Sequence, residues 1–344
     1  MKLKDFINAK EIALYIKNLP PQITLDKALF PNDKQLGMEL EVAKGAKQKP
    51  VALRMSTFDV AVKPRTLKAD INLEKKEMPF FKESILIKEK DRQQMLLAMK
   101  ANNQELVNQI LNKVFGNYKA LVDGAEVQAK RMRAQLLQNG EIKIITDDGD
   151  VVVDYGIPDE HKEVLQGTAK WSDPTADIVG DIERWQNALV AEGYEKPNRM
   201  LMTQKTFGYV RANTAIQNEI KGLSNVIVTD NLVKDYLKQK LGIEVGILNG
   251  VFVAEDGKIM NLYEDNKVTL IPQGTLGKTV YGTTPEEADK MFGSSKLDTE
   301  IVNTGVAITT MAKEDPVTVE TKVSQLVLPS FERADECFFA TVAE

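Results

Sequence analysis

The chain has 344 residues, 43% of them hydrophobic and 28% charged, which is typical of a globular protein of about two domains. Its single cysteine and single histidine exclude an internal disulfide, zinc sites of the Cys₂His₂ or Cys₄ type, and catalysis by paired histidines. A net charge of −5 disfavours a protein that wraps nucleic acid with a basic body. No apolar run reaches about 18 residues, so no membrane-spanning helix is predicted. Charged residues near the N-terminus disfavour an export signal, and we expect synthesis in the cytoplasm.

The first 80 residues predict a helix and then a β-ribbon. Apolar residues at helical spacing predict a short amphipathic helix over 5–18, which either packs on its own domain or docks elsewhere as an arm. From 37 to about 77, apolar and polar residues alternate, which indicates half-buried antiparallel strands. A ribbon of so few strands is marginal alone and needs a surface to lie on.

A long helix is predicted next. Apolar residues recur at steps of three and four over 105–138 and form one stripe along about 50 Å of helix. Asn139-Gly140 is predicted to end this helix. A hairpin should follow, because alternating residues at 142–144 and 151–155 flank a turn-forming stretch at 146–150.

Predicted helices and strands are mixed over 171–292, and strands dominate after that. Ser172 or Asp173 is predicted to cap a helix that starts at Pro174 and whose apolar stripe ends at Val190. The turn Asn249-Gly250 predicts a hairpin that joins strands at 245–248 and 251–254. Other predicted elements are a strand at 200–202, helices at 207–220, 231–241 and 285–292, and strands at 224–228, 268–271, 278–281, 302–310, 317–328 and 337–342.

No group of residues in the sequence predicts catalysis. Gly277-Lys278-Thr279 matches the end of a phosphate-binding loop, but Pro272 stands where its first glycine belongs, so we predict a turn. The acidic stretch 147–150 lacks the later ligands of a calcium loop. His161 lies among acidic residues and is interpreted as part of a solvated charge cluster, whereas Cys337 is interpreted as a small buried residue.

Several stretches, in order, resemble the major capsid protein of tailed bacteriophages, of the lambda capsid protein E type. Trp171–Ile178 (WSDPTADI) and the C-terminal run carry the resemblance most specifically. The full set is Val62-Lys63-Pro64-Arg65, Trp171–Ile178, Pro197–Phe207, Asp315-Pro316, Ser324–Pro329 and Phe338–Val342. The resemblance implies an α+β chain with the Hong Kong-97-type coat fold.

The resemblance also implies a division of the chain into named parts. Residues 1–36 would form an N-arm, and residues 37–80 an extended β-ribbon called the E-loop. Residues 81–221 would form the peripheral domain, whose spine helix would span 88–138. Residues 222–300 would form the axial domain, and the strands of 301–344 would return to the peripheral domain.

The implied function is structural. Relatives assemble as hexamers and pentamers into an icosahedral shell that encloses double-stranded DNA by non-specific contact. The expected partners are further copies of the chain, a separate scaffolding protein, a portal protein and, as a further candidate, a decoration protein. Assembly is expected in the host cytoplasm and the product in the virion capsid, with no enzyme activity, catalytic residue, cofactor, metal or membrane contact. The alternatives are an encapsulin-like shell around protein cargo and an enzyme that uses Asp147, Asp148 or Glu160.

Charge is distributed unevenly along the sequence. Residues 43–76 contain nine basic and three acidic residues, a net charge of +6, whereas residues 141–163 contain eight acidic and two basic residues, a net charge of −6. Either both segments are solvated surfaces, or the basic ribbon of one subunit lies on an acidic surface of its neighbour. The second interpretation predicts contacts between two groups of residues, Lys63, Arg65 and Lys68 on one side and Asp147, Asp148 and Asp150 on the other.

Overall fold

The structure is a computed structural model and describes residues 8–20, 24–44, 72–101, 104–146, 149–222, 226–254, 256–293, 297–315 and 317–343. The α-helices in these ranges are α1 (Ala9–Lys17), α2 (Leu25–Leu29), α3 (Glu89–Lys100), α4 (Gln104–Asn139), α5 (Ile178–Ala191), α6 (Gln204–Ala212), α7 (Thr214–Lys221), α8 (Asp230–Leu241) and α9 (Pro285–Phe292).

The β-strands of the N-terminal half are β1 (Asn32–Lys34), β2 (Glu39–Lys44), β3 (Asn72–Glu77), β4 (Phe80–Ile87), β5 (Glu141–Thr146), β6 (Gly149–Asp154) and β7 (Lys162–Val164). Those of the C-terminal half are β8 (Arg199–Met202), β9 (Glu244–Ile247), β10 (Val251–Val253), β11 (Ile259–Asn261), β12 (Lys267–Ile271), β13 (Thr279–Tyr281), β14 (Asp298–Val302), β15 (Val306–Lys313), β16 (Thr318–Pro329) and β17 (Phe338–Thr341). The alternating side chains predicted antiparallel strands over 37–77 and a hairpin at 142–155, and the structure forms the pairs β2–β3 and β5–β6 there.

The larger sheet has six strands and is built around β16. Its order is β1-β13-β16-β15-β14, and β4 pairs with β16 as well. All its pairs are antiparallel except β1–β13. The twelve residues of β16 are long enough to pair with β4 along Val319–Leu326 and then with β13 along Val327–Pro329.

The second sheet has five strands in the order β7-β17-β12-β8-β9, and its three central strands are buried on both faces. Side chains of a strand alternate between faces, so Met200 and Met202 of β8 face one way and Leu201 the other. The first two join helices α5–α8 in an outer core that includes Trp171, Trp185, Phe207, Leu237, Leu270 and Phe338. Leu201 joins a central core that includes Met132, Leu136, Leu137, Ile271, Tyr281, Leu328 and Phe331.

Helix α4 packs against both sheets, because its apolar stripe runs along most of its 36 residues. Tyr118 and Val122 lie in an arm core that also contains Ile12, Ile16, Val306, Ile308 and Val323. About three turns further along, Met132, Leu136 and Leu137 lie in the central core. The predicted helix over 105–138 is therefore confirmed. Within the predicted spine 88–138, the structure has two helices, α3 and α4.

The N-terminal segment is fastened to the rest of its own chain. Helix α1 buries Ala9, Ile12, Ala13 and Ile16 against β14, β15 and α4, so it packs on its own domain. After it, Asp26 of α2 accepts a hydrogen bond of 2.8 Å from Nε of Arg133 on α4.

Arg133 is fully buried, and its Nη2 also donates to Glu126 at 2.7 Å. Burial alone lowers the pKa of Arg133, but the carboxylates of Asp26 and Glu126 outweigh it and raise that pKa. The buried guanidinium therefore stays charged and paired.

The helix predicted to begin at Pro174 begins four residues later. Asp173 accepts hydrogen bonds from the backbone N–H and the hydroxyl of Thr175 and so closes a local turn. The cap is Asp177, whose side chain accepts from the N–H of Gly180, and α5 starts at Ile178. Turn formation by aspartate competes with helix capping, and the prediction chose the wrong outcome. The far end of the stripe is also wrong, because Val190 is exposed.

The hairpin predicted around Asn249-Gly250 is wrong. β9 pairs in parallel with β8, and β10 pairs with β11 instead. A turn dipeptide is a local signal, whereas β9 gains burial by joining a sheet whose other strands are distant in the sequence. Strand β4 was not predicted from the sequence, although its eight residues pair with β16.

The outer core crosses the boundary predicted at residue 222. The outer core takes residues from both sides of that boundary, from Leu165 to Leu270, together with Phe338, Ala340 and Val342. The strands β13 and β14 fall within the predicted unit 222–300 but belong to the six-stranded sheet.

The stripe of α4 gives a direct test of this packing. Val122→Asp places a carboxylate in the arm core, where Val122 is almost fully buried, and should lower the free energy of unfolding by about 4 kcal/mol. Asn117→Asp adds the same charge on the exposed side of the helix and should change it by less than about 0.5 kcal/mol. Urea unfolding of the unassembled chain measures both values. Equal values for the two variants would contradict the packing.

Candidate functional site

The described part of the ribbon is its base, the antiparallel pair β2–β3. Leu40 of β2 is buried in the central core together with Met78, which follows β3. On the opposite face, the ammonium of Lys75 lies 3.6 Å from a carboxylate oxygen of Glu39 and 3.1 Å from one of Glu41. The hydrogen bond to Glu41 is the main reason why the pKa of Lys75 is raised. The base is thus anchored on one face and charged on the other.

Lys76 connects the ribbon base to the hairpin β5–β6 of the same chain. Its Nζ donates to the carbonyl oxygen of Asp154 at 2.7 Å and lies 4.9 Å from the centre of the Tyr155 ring. Tyr155 is buried, and its hydroxyl donates to the carbonyl oxygen of Pro329 at 2.5 Å. The ribbon base therefore lies beside this hairpin.

The hairpin β5–β6 has one buried and one exposed face. Ile142, Ile144 and Val153 lie in the central core. By register, the opposite face pairs Glu141 with Asp154, Lys143 with Val152, and Ile145 with Asp150. Ile145 and Val152 are each 63% exposed. We call this face the acidic hairpin face: two exposed apolar side chains with exposed carboxylates at Glu141, Asp150 and Asp154. An apolar centre with a charged rim is typical of a protein-binding surface.

Of the six residues predicted to meet between subunits, the structure describes one, Asp150. It is exposed, in β6, opposite Ile145. The others lie outside the described residues: Lys63, Arg65, Lys68, Asp147 and Asp148. The predicted contact between the two groups stays a prediction.

The acidic segment 141–163 is not one continuous surface. Glu163, at its end, is in β7 and accepts hydrogen bonds of 2.9 and 2.8 Å from Nη2 of Arg184, and a further one from the indole N–H of Trp185. Burial works to raise the pKa of Glu163, but these donors outweigh it and the pKa is lowered. Glu163 is therefore paired within its own chain, whereas Asp159 and Glu160 are exposed, as are the carboxylates of the hairpin.

His161 is not solvated, contrary to the prediction. It is fully buried, with its ring edge-on to Tyr194 at 5.9 Å between centres and its Nε2 3.2 Å from a carboxylate oxygen of Glu192. Glu192 and Tyr194 follow α5, and this long-range contact has no signal in the local sequence.

Exposed apolar residues also mark a second two-stranded sheet, β10–β11. Phe252 faces inward, under the guanidinium of Arg131 at 5.1 Å, whereas Val251, Val253 and Ile259 are mostly exposed. The alternation of side chains at 251–253 is visible in the sequence. Because the strand was predicted to pair with the wrong partner, the exposure of Val251 and Val253 was not predicted. Elsewhere, large exposed apolar side chains include Leu36, Met38, Leu97, Ile227 and Phe292.

Neither a metal-binding cluster nor a reactive thiol is found in the part of the chain that the structure describes. These residues contain no group of three or more His, Cys, Asp or Glu placed to hold a metal ion. Burial raises the pKa of the Cys337 thiol, so it is not a reactive nucleophile at neutral pH. Among the described helices, none combines the length and apolarity needed to cross a membrane.

Comparisons with known proteins identify a family from the sequence and a fold from the structure. The model of the family described as phage major capsid protein E matches residues 8–342. A candidate prophage capsid protein from Escherichia coli CFT073 is 14% identical, with a TM-score of 0.58 over 98% of this chain and 99% of that chain. A phage-related protein from Bordetella bronchiseptica RB50 is 13% identical, with a TM-score of 0.54 over 98% of both chains. At such identities the likeness shows the fold alone. No curated protein sequence matches the chain.

Lys76 gives a test of how the ribbon base is held. Lys76→Met removes the hydrogen bond to Asp154 and the contact with the Tyr155 ring, so local opening of β3 should become easier by about 1 kcal/mol. Lys75→Met removes only exposed ion pairs and should have a smaller effect. Amide hydrogen exchange over Asn72–Glu77 measures both. A larger effect from Lys75→Met would show that the exposed face holds the base.

Proposed function

The chain belongs to the family of phage major capsid proteins E, and we propose that its copies form hexamers and pentamers that close into an icosahedral shell around double-stranded phage DNA. It is a shell-forming coat protein with the Hong Kong-97-type fold, a component of the virion capsid and not an enzyme. The single observation that carries the proposal is the family match over nearly the whole chain. The acidic net charge is compatible with it, because a strongly basic inner face would hold the DNA phosphates tightly.

The proposed partners follow from the same family membership. A separate scaffolding protein directs closure, a portal protein occupies one vertex, and a decoration protein is a further candidate for the outer surface. Assembly takes place in the host cytoplasm, and the DNA is held by non-specific contact.

The proposed layout follows the cores. Residues 1–36 are the N-arm, residues 37–80 the E-loop, and α3 and α4 together the spine of the peripheral domain. We assign the axial domain to the unit with the outer core, namely the five-stranded sheet and α5–α8. β13, β14 and β16 then belong to the peripheral domain.

The first experiment asks whether shells form and what they enclose. Purified protein, alone and with a scaffolding protein, should give closed particles in negative-stain electron micrographs. Particles isolated from infected cells should contain DNA protected from nuclease. A monomer of 38.4 kDa under every condition would refute the proposal, and particles filled with protein cargo would identify an encapsulin-like shell instead.

One contact between subunits is proposed on charge. Residues 43–76 carry +6, and residues 141–154 contain five acidic residues and one basic residue. The acidic hairpin face exposes Asp150 and two apolar side chains. A ribbon in which apolar and charged residues alternate can match both kinds of side chain. We assign Lys63, Arg65 and Lys68 of one subunit to Asp147, Asp148 and Asp150 of its neighbour. Exposed pairs contribute only about 0–1 kcal/mol each, so their main effect is on docking register and rate.

Charge reversal tests this contact. Changing Lys63, Arg65 and Lys68 to glutamate should block assembly, and changing Asp147, Asp148 and Asp150 to lysine in the same chain should partly restore it. Light scattering should also show slower assembly of the unaltered protein at 1 M salt, where the Debye length falls from about 8 Å to about 3 Å.

The matched control changes Lys205, Lys238 and Lys240 to glutamate. These exposed lysines lie on α6 and α8 and give the same change in net charge. Assembly should survive this control. If the six-residue swap assembles no better than the triple variant, the two segments do not meet.

A further inference from the structure

The chain crosses from one sheet to the other at residues 272–278, between β12 and β13. Five successive carbonyl oxygens of this crossing are bound by two arginines. Nε of Arg199 donates to Pro272 at 3.1 Å, and its Nη2 donates to Gly274 at 2.6 Å. Nη1 of Arg333 donates to Gln273 at 2.7 Å and to Thr275 at 3.3 Å. The backbone N–H of Arg333 donates to Leu276 at 3.1 Å.

The two arginines come from different parts of the fold. Arg199 is the first residue of β8, in the five-stranded sheet. Arg333 lies in the chain segment that crosses back between the sheets, after β16 and before β17. Nη2 of Arg333 is also held by the carboxylate of Glu336 at 2.5 Å. One sheet and the returning crossing therefore both bind the same loop, and the two guanidinium groups bind alternate carbonyl oxygens.

The two crossings also touch through their backbones. The N–H of Ser330 donates to the carbonyl of Lys278 at 2.7 Å, and the N–H of Lys278 donates to the Ser330 hydroxyl at 3.0 Å. A Cβ on Gly277 would lie 2.0 Å from the carbonyl oxygen of Ser330, so no other residue fits there without a backbone shift. One residue before Gly277, the N–H of Leu276 donates to the carbonyl of Leu29.

This arrangement is specific to arginine. A guanidinium offers five N–H donors in a planar fork and reaches two carbonyls at once, whereas a lysine ammonium acts as a point charge. Burial, with a further contribution from the positive charge of Arg333, lowers the pKa of Arg199. Burying this charge near Arg333 costs electrostatic free energy, and the dipoles of the bound carbonyl groups offset part of that cost.

We propose that Arg199 and Arg333 form a latch that sets the angle between the two sheets, and that this angle determines the diameter of the shell. The second half rests on the proposed function, because the sheets belong to the units assigned as axial and peripheral domains. A small change of angle in each subunit accumulates over a closed surface, so a loosened latch should give shells of mixed diameter.

The test uses the full chain with Arg199→Lys, Arg333→Lys and both together. Arg211→Lys is the matched control, since Arg211 is an exposed arginine with a single carboxylate partner, Asp230, at 2.8 Å. Hydrogen exchange of the amides of Leu276, Lys278 and Thr279 in the unassembled protein reports the latch. Electron micrographs of assembled particles report the diameter.

We expect exchange at these amides to be at least tenfold faster in the double lysine variant, with unchanged exchange in the outer core, and a broader spread of shell diameters. The control should match the unaltered protein in both measurements. Unchanged exchange would overturn the latch. Faster exchange with unchanged diameters would overturn the link to shell size.

If the unaltered protein forms no shells, the proposed function fails together with the claim about diameter. The exchange measurement on the unassembled chain still decides whether the latch exists.

Discussion

The packing of helix α4 against both sheets is the constraint on which the other contacts depend. Each of the two sheets has apolar faces that other elements must cover, and a short helix would reach only one of the sheets. With 36 residues, α4 places its first half against the six-stranded sheet and its second half in the central core, which contains residues of both sheets. The ribbon base and the acidic hairpin face then take their positions from it, because Leu40 and Ile142 pack in the same central core as Leu136.

Arg133 illustrates how polar groups are used inside this packing. Burying a guanidinium costs free energy unless its charge is paired, so Asp26 must lie beside Arg133. This requirement also fixes the position of the N-terminal segment that carries Asp26. Such a pair selects one arrangement of the segment over others more than it adds stability. The carbonyl contacts of Arg199 and Arg333 work similarly at the crossing between sheets, with backbone dipoles in place of carboxylates.

The surface is consistent with a protein that functions among copies of itself. Exposed β-branched and aromatic side chains occur on several elements, namely β5–β6, β10–β11 and the end of α9. Permanent interfaces are large and apolar, and a subunit of a closed shell needs several of them. A coat protein of this family meets neighbours on several sides, which explains why its functional surface is distributed.

The sequence by itself determined the elements whose signal is local and repeated. The stripe of α4, the alternation in β2, β3, β5 and β6, and the burial of Cys337 could all be predicted, since each follows from periodicity or residue type. The candidate site was predicted only as charge, and the structure describes one of its six residues, Asp150.

Only the tertiary structure decided how distant elements meet. β9 joins β8 instead of β10, His161 is buried under Tyr194, and Arg199 and Arg333 share one loop. The physical reason is the same in each case. Pairing and burial depend on which segments the fold brings together, and the free energy gained there exceeds the preference of a turn dipeptide or a polar neighbourhood.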